Sequence, residues 1–210
     1  MKVLFVCRLM SGFCQSLESR RWKPSGSPAI AHLIEALDSD EAVDLDLVMT
    51  RPFVKGPERK ALCHLNKQTL KVDGIGAKIL LLVSPEVQFI PARLKFFVAE
   101  LMHLSSLSKK IRCLKPDIIY IDRGNWFLAA VITRFTSRPV VMRLLGIPVD
   151  MWRLENERSI FNMVMKWAYR SPFTHVICTE DGSAGREWMN KYLADDVKRS
   201  TYLNGVKANN

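Results

Sequence analysis

Short apolar runs rich in branched residues recur along the chain at 3–7, 43–49, 78–83, 117–121, 139–144, 175–179 and 200–203. Each is four to eight residues long and bounded by Gly, Pro, Asp or Ser, as buried strands are. A second period lies between most of them. Ile30, Leu33, Ile34 and Leu37 keep the i, i+3, i+4, i+7 spacing of a one-sided helix, as do Leu128, Val131, Ile132 and Phe135. Ile160, Met163, Val164, Trp167 and Ala168 repeat it, with Pro172 closing the helix, and Gly185, Trp188, Met189 and Tyr192 form a last stripe. Strands alternating with helices imply βαβ crossovers. The pattern predicts a Rossmann-like, doubly wound α/β domain with about six or seven mostly parallel strands and helices on both faces. Residues 51–76 have no clear period and predict a long loop or short irregular helices. No internal repeat or low-complexity tract is present.

In such a sheet the ligand crevice lies beyond the carboxyl ends of the strands. That nominates residues 8–28, 122–125, 143–152 and 179–182, where polar residues and glycine concentrate.

Composition narrows the ligand. The 210 residues are 48% apolar and 25% charged, enough to bury a core, and carry a net charge of +10. This excess favours an anionic partner: a phosphate-bearing small molecule, nucleic acid or an acidic membrane surface. Five cysteines at 7, 14, 63, 113 and 178 form no CxxC pair, which predicts a reduced, cytosolic compartment. The apolar run at 3–7 is too short for a signal-peptide core. The uncharged stretch 126–132 falls far short of the roughly 20 residues that span a bilayer. The chain is expected to touch a membrane but not to cross one.

Several chemistries lack their signatures. The first strand is followed by Arg8-Leu9-Met10-Ser11-Gly12, with a single glycine and no Gly-x-Gly-x-x-Gly, so NAD and FAD are disfavoured. Gly74-Ile75-Gly76 precedes a strand instead of following one. There is no Walker loop and no GxSxG elbow, and the histidines at 32, 64, 103 and 175 share no ligand spacing. No metal site is predicted.

Two loops carry candidate chemistry. Arg20, Arg21, Lys23 and Gly26 precede a helix opening at Pro28, whose free amides would suit a phosphate or other anion. The alternative is a flexible solvated loop. Asp122-Arg123-Gly124-Asn125 follows the fourth candidate strand and could bond sugar hydroxyls, or start a helix with Asn125 as its cap.

The succession KVLFVC with a glycine-bearing loop, KPDIIYIDRGN, RPVVMRLLGIP, THVICTEDGSAGREW and a closing YLNGV resembles the N-terminal domain of retaining GT-B glycosyltransferases of the glycogen-synthase-like and mannosyltransferase-like superfamily. The resemblance runs from Lys2 to Val206. It implies that residues 1–203 form the acceptor-side half, that 204–210 begin an interdomain linker, and that a C-terminal half holds a nucleotide-sugar donor, generally without a metal. It places Gly12 near the donor diphosphate, Thr179 and Glu180 facing the cleft, and Asp122, Arg123, Asn125, Arg143 and Gly146 on the side of a saccharide or lipid-linked acceptor.

Two departures stand out. Relatives commonly carry His before the glycine after the fifth strand, whereas Leu145 precedes Gly146 here, and Arg143 is the nearest polar residue, without an assigned catalytic role. No Glu-x7-Glu pair of a donor domain occurs in the 210 residues, so a fragment, a truncated gene or a second domain on another chain is expected. Two rival functions remain: a stand-alone Rossmann-like binding domain without chemistry, and a basic peripheral adaptor.

Residues 76–116 hold seven Lys and Arg against two acids, half of the chain's whole charge excess. Phe89, Leu94, Phe96, Phe97, Leu101 and Met102 interleave with Arg93, Lys95, Lys109, Lys110 and Arg112. This reads either as a basic amphipathic helix on the inner face of an anionic membrane or as a core helix with a solvated basic edge. Nucleic acid is the weaker partner, since no reading motif accompanies the patch.

Overall fold

The computed structural model describes residues 1–26, 28–54, 62–85, 89–152, 154 and 159–203. The expected linker at 204–210, with Asn204-Gly205-Val206, lies outside them. The chain divides into two compact units, Met1–Ile119 and Tyr120–Asn210.

In the first unit β1 (Lys2–Arg8) pairs in parallel with β2 (Asp44–Val54), and β2 in parallel with β4 (Lys78–Pro85). A two-residue strand, β3 (Thr69–Leu70), runs antiparallel on the outer side of β4, giving the order β3-β4-β2-β1. Helices α1 (Ser11–Ser19) and α2 (Pro28–Ser39) connect β1 to β2, and α3 (Ala92–Leu114) follows β4. Register fixes which residues share a face. Arg8 lies beside Thr50, and Asp46, Val48 and Thr50 lie beside Lys78, Leu80 and Leu82. Lys110 of α3 binds Asp46, and His103 of α3 binds Ser84, so α3 covers this even-numbered side. The odd-numbered Phe5, Cys7, Leu47, Met49, Ile79 and Leu81 are equally buried, and α2 packs on β2. Both faces are therefore covered, which is why these strands read as continuous apolar runs.

The first strand is tied to the far end of the unit. Lys2 N–H donates to the Asp117 carboxylate at 2.8 Å, and Asp117 N–H returns a bond to the Lys2 carbonyl at 2.9 Å.

The second unit contains β5 (Ile118–Asp122), within which the division falls, β6 (Val140–Leu144), β7 (His175–Thr179) and β8 (Lys198–Tyr202), in that order. β6, β7 and β8 are parallel. Its helices are α4 (Trp126–Phe135), α5 (Val149–Trp152), α6 (Ile160–Tyr169) and α7 (Gly185–Tyr192). Burial alternates along β6: Val140, Met142 and Leu144 are inside, and Val141 and Arg143 are half-exposed. Ser159 caps α6 by accepting the Asn162 N–H at 3.1 Å, and Trp188 and Met189 pin α7 to the interior.

The mostly parallel Rossmann-like α/β architecture agrees with the sequence pattern, and all seven predicted strands form, with shifted ends. Three local expectations are corrected. The stretch after β1 is not only a glycine-bearing loop, because residues 11–19 form α1, whose Phe13 and Leu17 pack inside at i, i+4. Within 51–76, β2 continues to Val54 and β3 adds an eighth strand. Asn125 holds the N-cap position of α4 but makes no side-chain capping bond there; Asp122 supplies one to the 3-10 turn Arg123–Asn125 that leads into it.

Candidate functional site

In the second unit the carboxyl ends of β5, β6 and β7 carry the residues that the sequence nominated. Asp122 and Asn125 are buried and bonded to each other, the Asp122 carboxylate accepting both the Asn125 N–H at 3.2 Å and its side-chain amide at 2.9 Å. They shape the turn. Arg123 and Gly124 face outward instead, into a pocket of about 200 Å³. Trp126, Met165 and Tyr169 are its buried wall, and Phe161 and Arg123 are half-exposed. Arg123 is steadied by a 3.1 Å bond from Nη1 to Met151 Sδ. Trp126 meets Phe161 edge-on at 5.8 Å and lies nearly parallel to Tyr169 at 6.4 Å. A guanidinium beside aromatic rings suits a ligand with apolar C–H faces and hydroxyl or phosphate oxygens.

Arg143 lies in β6 with its Nη2 3.3 Å from the Thr179 hydroxyl, and it also bonds Tyr120. Burial pushes the Tyr120 phenol up, against the opposing pull of Arg143. Thr179 is buried and Glu180 exposed, and both line a second pocket of about 240 Å³ with Asp181, Gly185 and Arg186.

Gly146 is fixed by its backbone. Its φ is +88°, and a Cβ there would collide with the Asp181 carboxylate. Ser183 locks the same corner: its hydroxyl accepts the Ile147 N–H at 2.8 Å, and its own N–H donates to Asp181 at 3.1 Å. The Ser183 hydroxyl, more than any other group, holds the Asp181 carboxyl below its ordinary value.

In the first unit the backbone that approaches Gly12 is the protein's own. A Cβ at position 12 would fall inside the Ser25 carbonyl group, and Ser25 N–H donates to the Gly12 carbonyl at 3.1 Å. The following segment is tethered throughout. Trp22 stacks on Phe13 at 5.6 Å and donates to Glu35 at 3.1 Å, and Lys23 N–H donates to the buried Ser16 hydroxyl at 3.0 Å. Arg20, Arg21, Lys23 and Gly26 are all exposed on this pinned loop. Gly12→Ala is expected to cost about 2 kcal/mol or more and to loosen residues 20–26, since overpacking against backbone cannot relax by a rotamer change. Urea unfolding and amide exchange of Trp22 and Lys23 would check this; unchanged exchange there would count against it.

On α3, Lys95 is half-exposed, Lys109 and Arg112 are exposed, and Arg93 lies in the first turn. Lys110 is not a free cation, because it pairs with the nearly buried Asp46 at 2.5 Å. Leu94 and Leu101 are each 53% exposed and Met102 46%, while Phe96 and Phe97 are half-buried and Leu107 is inside. Among the described residues no helix is long and apolar enough to cross a membrane. No three His, Cys, Asp or Glu side chains among them converge as metal ligands.

The sequence reading missed a buried polar cluster at the ends of β1, β2 and β4. Arg8 reaches Glu100 at 2.6 Å and Thr50 at 3.0 Å, and Ser84 Oγ lies 2.8 Å from His103 Nε2. Glu100 and His103 were legible as two polar residues one helical turn apart between Phe96, Ala99 and Leu107. The stripe read on α6 is only partly inside: Ile160, Met163 and Trp167 are exposed, and Arg134 stacks 3.9 Å over the Trp167 ring.

Neither a protein-family model nor a curated protein sequence matches the chain. Solved structures do. Sucrose-phosphate synthase from Thermosynechococcus elongatus is similar with a TM-score of 0.63 at 12% identity, covering 97% of this chain and 48% of that one. The lipopolysaccharide outer core galactosyltransferase WaaB follows at 0.55 and 13%, covering 98% and 46%. The fold is that of a GT-B half. UDP-GlcNAc 2-epimerase from Methanocaldococcus jannaschii has a TM-score of 0.52 at 11% identity, covering 97% and 45%. The chain thus spans about half the length of these GT-B-like neighbours, and the likeness concerns the fold.

Proposed function

We propose that the chain is the acceptor-side half of a GT-B glycosyltransferase that uses a nucleotide sugar. The observation that carries this reading is the Arg123 pocket at the end of β5, in a fold whose solved neighbours include a sucrose-phosphate synthase and a galactosyltransferase. Arg123 holds an acceptor oxygen, and Phe161 and Trp126 offer ring faces to a sugar. Gly124 keeps the pocket mouth open. Arg143, Thr179 and Glu180 border the side to which a donor half brings the nucleotide sugar, and Gly146 keeps the Asp181 corner closed behind them. The anion loop of Arg20, Arg21, Lys23 and Gly26 supplies positive charge for a phosphate. Donor binding belongs to a second half, in the same protein or on another chain, and the reaction needs no metal from this one.

A protein that combines this chain with its donor half tests the reading. Under a screen of nucleotide sugars, Arg123→Ala is expected to raise the acceptor KM about tenfold, the worth of one charged hydrogen bond, with the donor KM unchanged. The 210 residues alone are expected to give no useful turnover, because positioning donor against acceptor supplies much of the rate. Turnover by the isolated chain, or an unchanged acceptor KM, would refute the assignment.

The exposed Leu94, Leu101 and Met102 beside Lys95, Lys109 and Arg112 favour a second element of this reading: peripheral attachment to the inner face of an anionic membrane that carries a lipid-linked acceptor.

A further inference from the structure

A groove lies between α3 and β4 in the first unit. Its floor is the half-exposed Leu80, with the buried Leu82 beneath it, on the face of β4 that α3 covers, and its volume is about 430 Å³. The cause lies in the sequence of α3, which reads Leu-Ser-Ser-Leu-Ser-Lys-Lys over 104–110. Ser105 and Ser106 stand over the strand where a well-packed helix would place large apolar side chains, so Leu80 stays half-exposed. The rim is cationic. Lys67 and Lys109 line the groove and are exposed, Lys110 closes onto Asp46, and among the described residues no acidic side chain lines the cavity. One turn back along α3, the exposed Leu101 and Met102 extend the apolar surface outward.

An apolar floor disfavours a free phosphate, and two lysines beside it disfavour a neutral chain. We propose that the groove seats one anionic lipid of a bilayer, with an acyl chain along Leu80 and Leu82 and a phosphate between Lys67 and Lys109. The proposal rests on the membrane reading of α3 for the source of the ligand and on the groove alone for its fit.

The test is calorimetric titration of the chain with monomeric dodecyl phosphate, beside inorganic phosphate and dodecyl maltoside. Dodecyl phosphate is expected to bind one site about tenfold or more tighter than either comparator, as two surface lysines would give. Lys67→Glu with Lys109→Glu removes that preference, and Leu80→Glu abolishes binding. The lysine pair is exposed, so its variant remains informative if Leu80→Glu fails to fold. The exposed Cys113 lies at the groove and gives a local reading. Dodecyl phosphate should slow its alkylation, leaving Cys14 and Cys63 unchanged. Equal affinity for the three ligands, or an unaffected lysine variant, would overturn the groove. Co-sedimentation with phosphatidylglycerol vesicles, repeated for Lys95→Glu with Arg112→Glu outside the groove, separates the two readings. Vesicle binding without dodecyl phosphate binding sinks the seat and leaves the membrane reading standing. Dodecyl phosphate binding without vesicle binding overturns the bilayer as its source.

Discussion

Acidification from pH 6.5 toward 3 is expected to drain stability through His103. The imidazole is only 2% exposed, and burial, with a smaller contribution from the Arg8 charge, lowers its pKa from 6.5 to about 3. In the unfolded chain it takes up a proton below about 6.5, whereas the folded protein refuses it until near 3. The unfolded state therefore binds more protons through that window. Stability present above pH 6.5 is lost as the pH falls, at a slope of about 1.4 kcal/mol per pH unit from this group. Urea unfolding at pH 7.5, 6, 5 and 4.5 would measure it. Carboxylates add their own slope, so the reading is the difference from His103→Gln, which removes the titration and keeps a polar group near Ser84. Matching slopes in the two proteins would dispose of the claim.

The neighbouring ion pair gives the second large effect. Glu100 is fully buried and Arg8 is 15% exposed at the side chain, so Glu100→Ala leaves a guanidinium facing a cavity with Thr50 as its remaining named partner. The expected loss is about 3 to 5 kcal/mol, because removing one partner of a buried ion pair costs more than the pair contributes. Arg8→Met with Glu100→Leu removes both charges and fills the same space, and is expected to recover most of that loss. Denaturant midpoints of the two single variants and the double variant form a complete cycle. A single-variant loss below about 1 kcal/mol, or a double variant as unstable as the sum of its parts, would show that the pair has little part in the core.

The strands were legible because covered parallel strands leave continuous apolar runs, as in Val3 to Cys7. α2 and α6 were legible from their stripes. α1 escaped because Ser11, Gly12, Ser16 and Ser19 dilute its apolar face to Phe13, Cys14 and Leu17, and tertiary packing overrides that poor local propensity. β3 escaped because two residues carry no period. Asp122 and Asn125 were found as polar residues at a strand end, but the pattern could not show which of the four would turn inward. Arg123 alone of that pair of alternatives, ligand or cap, lines the pocket with Gly124. The resemblance placed Gly12 near a donor diphosphate, and no sequence pattern showed that Ser25 is the group packed against it. Lys110 counted as a surface cation because its partner, Asp46, is 64 positions away in sequence.

The bonds between Lys2 and Asp117 have a consequence for the order of events during synthesis. β1 is made before the other described strands, and the residue that caps its opening amide is made 115 positions later. At about 5 to 20 residues per second, that interval lasts on the order of ten seconds. Through it Val3, Leu4, Phe5 and Val6, which end at 3% exposure or less, have β2 beside them but not the completed unit. A nascent chain paused before residue 117 should therefore recruit holdase chaperones through its first ten residues, and one paused well beyond it should release them. Slow, non-local closure of this kind leaves the apolar centre of β1, buried in the finished fold, exposed while the chain is being made.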